Sequence, residues 1–180
     1  MNVPFVLLTG PIGAGKTSIA PLVLSWFPED LEYISPDFEL WCEFGNRLEG
    51  VGEKYQEAKE AARRRLDDAL ARRMPVLWET VVASTWKFEV VRLAGELGYA
   101  VLTVFVRGGG TSACAQRSLA RAMQGWFEVD ARKQENRYWV SGASRSQLRV
   151  LSDRWIEIET RGSSFELVED SESRYEKERV

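Results

Sequence analysis

Residues 5–17 read Phe5-Val6-Leu7-Leu8-Thr9-Gly10-Pro11-Ile12-Gly13-Ala14-Gly15-Lys16-Thr17. The first five form a short apolar run that stops at a glycine, as a strand buried on both faces does. The remaining eight match Gly-x-x-x-x-Gly-Lys-Thr at every specified position, and a helical pattern begins straight afterwards. Glycines here let successive backbone N–H groups turn inward around phosphate oxygens. The helix start adds its positive dipole end to that cradle. Lys16 is placed to reach the β- and γ-phosphates, and the Thr17 hydroxyl to coordinate Mg²⁺. The expectation is therefore a phosphate-binding loop for ATP and Mg²⁺ made of Gly10, Pro11, Ile12, Gly13, Ala14, Gly15, Lys16 and Thr17, with Thr17 as metal ligand.

Outward from this loop, the spacing of Ile19, Leu22, Val23 and Trp26 predicts a helix over 15–27 that ends at Pro28. Pro21 lies inside it and would kink or shorten it. Leu31 to Ser35 reads as a second strand leading to Pro36-Asp37. Tyr55, Ala58, Ala62, Leu66, Ala69 and Leu70 mark a helix over 55–73. Val76 to Val82 is a further buried strand, followed by a helix capped by Thr85 and closed at Gly98. Tyr99 to Val106 is the next strand, then helices over about 112–124 and 129–140, and Trp155 to Thr160 is the last strand.

Apolar strands alternating with helices indicate an α/β fold, a P-loop NTPase with a parallel five-stranded sheet covered on both faces. At 180 residues the chain suits one domain. We assign 1–168 to that domain, with a helical lid over about 108–140, and 169–180 to a polar tail.

Composition narrows the function classes. There is no histidine, and the two cysteines, Cys42 and Cys114, are far apart. A zinc site and an imidazole base are thereby removed from consideration. Reduced cysteines and the lack of a basic, apolar leader point to a cytoplasmic protein. No apolar run approaches the ~20 residues of a membrane span. Between Arg107 and Arg154 nine Lys/Arg stand against four Asp/Glu, although the whole chain carries −3. Such a basic segment in an acidic protein suggests a local anion site, or ordinary solvated helix faces, and nucleic acid is not an expected partner.

The kind of P-loop protein follows from what accompanies the loop. The guanine-reading Asn-Lys-x-Asp and the Asp-x-x-Gly switch are absent, and no strand ends in the usual aspartate of a Walker B motif. Glu79, Arg107 and Thr160 stand at the strand ends instead. A small kinase fits what remains. It needs an acid beside the attacking hydroxyl, and Asp37, just past the second strand, shares the carboxyl edge of the sheet with the loop. The alternative is that Asp37 only starts a short helix through Phe44. Glu79 emerges at the same edge as a substrate or metal-water ligand, with Thr80 beside it, unless it is a solvated strand end. Arg117 and Arg121, four apart on a helix, share one face, and Arg137 follows on the next helix with Lys133 one turn before it. A lid of this kind would place Arg121 and Arg137 as catalytic groups and Arg117 on the nucleotide. Most of the seven tryptophans are expected in the core, with Trp41 and Trp126 as candidates to stack on a ligand.

Taken in order, the loop, Ile34-Ser35-Pro36-Asp37, Leu77-Trp78-Glu79-Thr80 and a lid ending in Arg137-Tyr138 resemble the zeta-toxin family of P-loop kinases, and more loosely the chloramphenicol phosphotransferases. The resemblance implies that Asp37 acts as base toward a sugar hydroxyl, that Glu79 and Thr80 contact substrate, and that Arg121 and Arg137 stabilise the transferring phosphate. It implies a small-molecule acceptor, a UDP-linked amino sugar, and an antitoxin-like protein partner. The chain departs from relatives at Gln124-Gly125-Trp126, where many carry Gly-Gly-His, and at Val81 and Val82, where threonine or arginine is common. Both departures fall on the acceptor side. A nucleoside, antibiotic or polynucleotide-end kinase, and a nucleotide-binding partner protein with little catalysis, are the competing readings.

Overall fold

Successive side chains of a strand face opposite ways, and in β1 (Pro4–Thr9) both ways lead into a core. Phe5 and Leu7 join one apolar cluster and Val6 and Leu8 another, and all four are fully buried. The computed structural model describes residues 2–28, 30–44, 51–124 and 130–171.

After β1 come α1 (Lys16–Leu24), β2 (Glu32–Ile34), α2 (Pro36–Phe44), α3 (Val51–Ala71), β3 (Val76–Thr80) and α4 (Thr85–Glu96). The chain continues through β4 (Ala100–Val106), α5 (Thr111–Met123), α6 (Ala131–Ala143), α7 (Arg145–Leu151), β5 (Arg154–Arg161) and β6 (Ser164–Asp170). The sheet runs β2-β3-β1-β4-β5-β6, with the first five strands parallel. β1 therefore lies inside the sheet, with β3 and β4 on either side. α3, α4 and α7 supply Leu66, Val91 and Leu148 to one core, while α1 and α5 supply Ile19, Val23 and Cys114 to the other. Helices do cover both faces.

The expected five strands are six. β6 pairs antiparallel with β5 through the turn at Gly162, whose φ of 58° is left-handed. It runs past the predicted boundary at residue 168, and most of its residues are exposed. Side-chain burial contributes little to this strand beyond Phe165, which packs against the core that contains Ile19 and Val23. Ion pairs Arg154–Asp170, at 2.7 Å, Arg161–Glu166, at 2.8 Å, and Arg149–Glu169 pin its charged residues to neighbouring elements. The tail from 172 onward lies outside the described residues.

Smaller differences have local causes. α1 ends at Leu24 rather than 27, and contains Pro21. Ser84, not Thr85, occupies the cap position of α4, in an extended conformation. α7 was not anticipated, because only Leu148 of its seven residues is buried. The tryptophans also depart from expectation. Trp78 and Trp155 are buried, but Trp26, Trp41, Trp86 and Trp139 are exposed, and Trp126 lies outside the described residues.

Candidate active site

The parallel strands deliver their carboxyl ends to one edge, where open α/β sheets bind ligands. The loop after β1 is the centre of that edge. Gly10 has φ of 144°, and a Cβ there would stand 2.1 Å from the Val106 carbonyl oxygen. Gly13, at φ 76°, would place a Cβ 2.2 Å from the Cys114 carbonyl oxygen at the start of α5. Each contact is far below a tolerable approach, so the chain path needs glycine at both positions. The loop is pressed between β4 and α5, which fixes its curvature from behind.

Further bonds brace it from the same side. Thr160 donates its hydroxyl to the Ala14 carbonyl at 2.6 Å. Arg117 donates Nε to the Gly13 carbonyl at 2.6 Å and Nη2 to the Gly108 carbonyl. The Arg117 guanidinium thus ties α5 to the back of the loop and does not face the phosphate side.

Inside the loop, Lys16 is buried and donates Nζ to the carbonyls of Gly10, at 3.1 Å, and Pro11, at 2.8 Å. Burial lowers its pKa, opposed by the nearby charges of Glu79 and Asp37. A desolvated ammonium resting on two carbonyls is poised to exchange them for a better acceptor. Curled backbone, helix start, lysine and hydroxyl over residues 10–17 are donor groups chemically suited to a nucleoside triphosphate with Mg²⁺.

Thr17 donates its hydroxyl to Glu79 Oε1 at 2.8 Å, and Tyr33 donates to Oε2 at 2.5 Å. Glu79 is buried at the end of β3. Burial raises its pKa, against the pull of Lys16 and the two hydroxyl donors. Tyr33 in turn is pushed up by its own burial and by the Glu79 charge. This carboxylate is therefore oriented on both oxygens, beside the hydroxyl expected to take the metal. Its neighbour Thr80 is buried and accepts from Lys87 Nζ at 2.7 Å.

Asp37 does lie in the first turn of a helix, α2, as the structural alternative required. Its carboxylate nevertheless looks across the edge. Arg121 Nη2 donates to Asp37 Oδ2 at 3.2 Å, and the Tyr55 hydroxyl also bonds Asp37. Burial and the Asp37 charge hold the Tyr55 pKa above its ordinary value. Lys16, Asp37, Glu79 and Arg121 therefore feel one another's charge within one cleft.

Arg137 belongs to a different neighbourhood. Its charge acts on Lys87 and Lys59, and Lys59 acts in turn on Lys87. The structure thus groups Lys16, Thr17, Asp37, Glu79 and Arg121, sets Arg117 behind the loop, and sets Arg137 with the lysines. Tyr33, Tyr55 and Lys87 were not foreseen. Tyr33 and Tyr55 fit strand and helix patterns as core residues, and nothing in spacing marked Lys87. Trp41 stacks on Phe38, which packs against Tyr33, making an aromatic row from solvent toward Glu79. Gly125 and Trp126 of the lid lie outside the described residues.

No protein family's sequence profile matches the chain, and no curated protein matches it. Solved structures do. A chain from the PezAT chromosomal toxin–antitoxin system of Streptococcus pneumoniae is similar at TM-score 0.70 and 17% identity, over 93% of this chain and 72% of that one. Shikimate kinase from Acinetobacter baumannii, solved with shikimate, is similar at TM-score 0.55 and 17% identity, over 88% and 84%. A chain of the Pnkp1/Rnl/Hen1 RNA repair complex is similar at TM-score 0.56 and 14% identity, over 82% of this chain and 47% of that one. At such identities the likeness establishes the fold alone, a mostly parallel α/β sheet with helices on both faces that this chain shares with those structures.

Proposed function

We propose that the protein is an ATP- and Mg²⁺-dependent kinase that phosphorylates a hydroxyl group of a small molecule, a UDP-linked amino sugar being the acceptor the resemblance implies. One observation carries this reading. The Asp37 carboxylate, instead of closing its own helix end, faces Arg121 and lies within the field of Lys16 at the mouth of the loop.

ATP with Mg²⁺, when bound, supplies the phosphoryl group and a cation that offsets its charge. The residues supply the rest. Backbone N–H groups of 10–17 hold phosphate oxygens, and Lys16 exchanges the Gly10 and Pro11 carbonyls for one of them. The Thr17 hydroxyl oxygen would be a ligand of the metal, and Glu79, which accepts the hydrogen bond of the Thr17 hydroxyl, would keep that oxygen oriented. Asp37 accepts the proton of the acceptor hydroxyl at a carboxylate oxygen and fixes its direction. Arg121, already at the Asp37 carboxylate, has the reach to neutralise charge developing between acceptor and donor. Arg137 belongs to the same reading as a second lid cation, and Thr80 as an acceptor contact. Arg117 supports nucleotide binding by bracing the loop. A protein partner of the antitoxin kind and cytoplasmic residence complete the reading. No described helix is long and apolar enough to cross a membrane.

The test is Asp37→Asn. Binding of ATP should stay within about twofold of wild type, while phosphoryl transfer should fall by roughly 10²- to 10⁴-fold, the range for removal of a general base. Unchanged transfer in Asp37→Asn would remove the base from this reading. ATP binding with no acceptor turnover in the wild type would favour a nucleotide-binding partner protein.

A further inference from the structure

Two hydroxyl groups meet on one buried carboxylate, and only one of them belongs to the phosphate loop. Glu79 accepts from Thr17 at Oε1, at 2.8 Å, and from Tyr33 at Oε2, at 2.5 Å. Tyr33 comes from β2, the three-residue strand at the edge of the sheet, where it pairs in register with Leu77 of β3. Side chains two apart on a strand share a face, so Leu77 and Glu79 look the same way. Leu77 is fully buried in the core that contains Ile19 of α1, and Tyr33 packs against that core. The phenol of β2 and the hydroxyl of α1 therefore approach one carboxylate from two sides.

The phenol is itself held in place. Phe38, the residue after Asp37, lies against its ring with centroids 5.2 Å apart. From α3, Arg65 donates to the Tyr33 carbonyl at 3.4 Å and to Glu32 at 3.1 Å, and it also bonds Glu39 of α2. One arginine thus fixes both the strand that carries Tyr33 and the helix that follows it.

A hydroxyl that ligates a cation must turn a lone pair toward it, and its single proton must point elsewhere. At Thr17 the proton points to Glu79. The direction of that bond depends on the plane of the carboxylate, whose terminal torsion is intrinsically broad. A second donor on the other oxygen removes this freedom, and it leaves no buried carboxylate oxygen without a partner. We infer that Tyr33 is a positioning residue of the metal site: by fixing Glu79 it keeps the Thr17 hydroxyl oxygen open to a divalent cation. Tyr33 acts through Glu79 and supplies no ligand. The inference rests on the proposed function only for the Mg²⁺ and nucleotide at residues 10–17; neither acceptor nor transfer enters it.

Calorimetry on the full chain separates this role from simple support of the fold. A non-hydrolysable ATP analogue is titrated, with and without Mg²⁺, into wild type, Tyr33→Phe, Glu79→Ala and the double variant. Tyr33→Phe deletes one oxygen and keeps the ring against Phe38. The ratio of the two affinities is the gain from Mg²⁺. Partners of metal ligands are typically worth about 10- to 100-fold in metal affinity, and Glu79→Ala should lower the gain by that much. Tyr33 stands one bond further out, so Tyr33→Phe should lower it by roughly three- to tenfold. Its Mg²⁺-free affinity should stay within about twofold of wild type, which also reports that the variant is folded. On the Glu79→Ala background the same substitution should change the gain by less than about twofold, because the acceptor of both hydroxyls is gone.

An unchanged gain in Tyr33→Phe would overturn the inference. Equal losses with and without Mg²⁺ would overturn it too, since they mark a structural role, and additive losses in the double variant would mark a route that bypasses Glu79. No gain from Mg²⁺ in wild type would overturn it together with the metal role of Thr17. The kinase reading fails separately. A Tyr33-dependent gain in a protein that phosphorylates no hydroxyl compound would sustain the positioning role and remove the kinase. Transfer by the wild type, with an unchanged gain in Tyr33→Phe, would sustain the kinase and remove the positioning role.

Discussion

Substituting Gly13 by alanine probes whether the loop is held from behind, and its cost can be worked from two independent contributions. The residue sits at φ 76°, where a Cβ costs roughly 1–2 kcal/mol. The new methyl would also stand 2.2 Å from the Cys114 carbonyl oxygen, whereas carbon and oxygen settle at about 3.3 Å or more. About an ångström must be found by moving the loop or the start of α5, and such overpacking costs about 1–3 kcal/mol. The combined loss of about 2–5 kcal/mol corresponds to a fall in Tm of roughly 5–20 °C for a chain of this size. Because the displaced atoms belong to the phosphate cradle, affinity for an ATP analogue should fall by more than about tenfold as well. Gly142→Ala is the matched control. That glycine lies inside α6 with no heavy atom within 4 Å of a built Cβ, so alanine should raise stability by up to about 1 kcal/mol. Differential scanning calorimetry and titration with the analogue read both quantities. A Gly13→Ala protein with unchanged Tm and unchanged affinity would refute the claim that α5 presses on the loop.

Arg117→Leu separates bracing from direct nucleotide contact: loss of the bonds to Gly13 and Gly108 should lower Tm by several degrees and weaken ATP modestly. A large loss of affinity with unchanged Tm would instead place the guanidinium on the nucleotide. Glu79 has its pKa raised above the ordinary 4.5 by burial, so the folded state keeps a proton to higher pH than the unfolded chain. Its contribution to stability is therefore greatest below about pH 4.5 and declines as pH rises through the folded value. Glu79→Gln should remove that decline, gaining Tm on wild type as pH rises while losing transfer activity. Parallel Tm-against-pH curves for the two proteins would contradict this. Lys87, lowered to about 7, has the opposite slope: its charged form is disfavoured in the folded state, so wild-type stability rises between about pH 7 and 10.5. Lys87→Met should flatten that rise, and an unaltered slope would show that the ammonium is not desolvated.

How much of this was legible depended on whether a residue's role was set by its own segment. The loop could be read outright, because glycine spacing, lysine and hydroxyl act within eight residues. Asp37 and Glu79 could be found through one topological fact, that parallel strands share a carboxyl edge. Their actual partners could not, since Tyr33, Tyr55 and Arg121 arrive from three other elements. Arg117 and Arg121 share a helix face as expected, yet one ends behind the loop and the other at Asp37, a division made by the packing of α5. β6 escaped notice because its residues alternate charge with modest apolarity and are held by arginines 5 to 20 positions away. Lys87 is the extreme case. Its lowered pKa comes first from burial and then from the charges of Arg137, Lys16 and Lys59, none of which local pattern can connect to it.

Phosphoryl transfer itself is the central claim. A metabolite extract with ATP and Mg²⁺, incubated with wild type or Lys16→Ala and compared by mass spectrometry, tests it most directly. The account predicts at least one hydroxyl-bearing metabolite that gains a phosphate with wild type alone. Intact ATP and no wild-type-dependent phosphorylated species would contradict it.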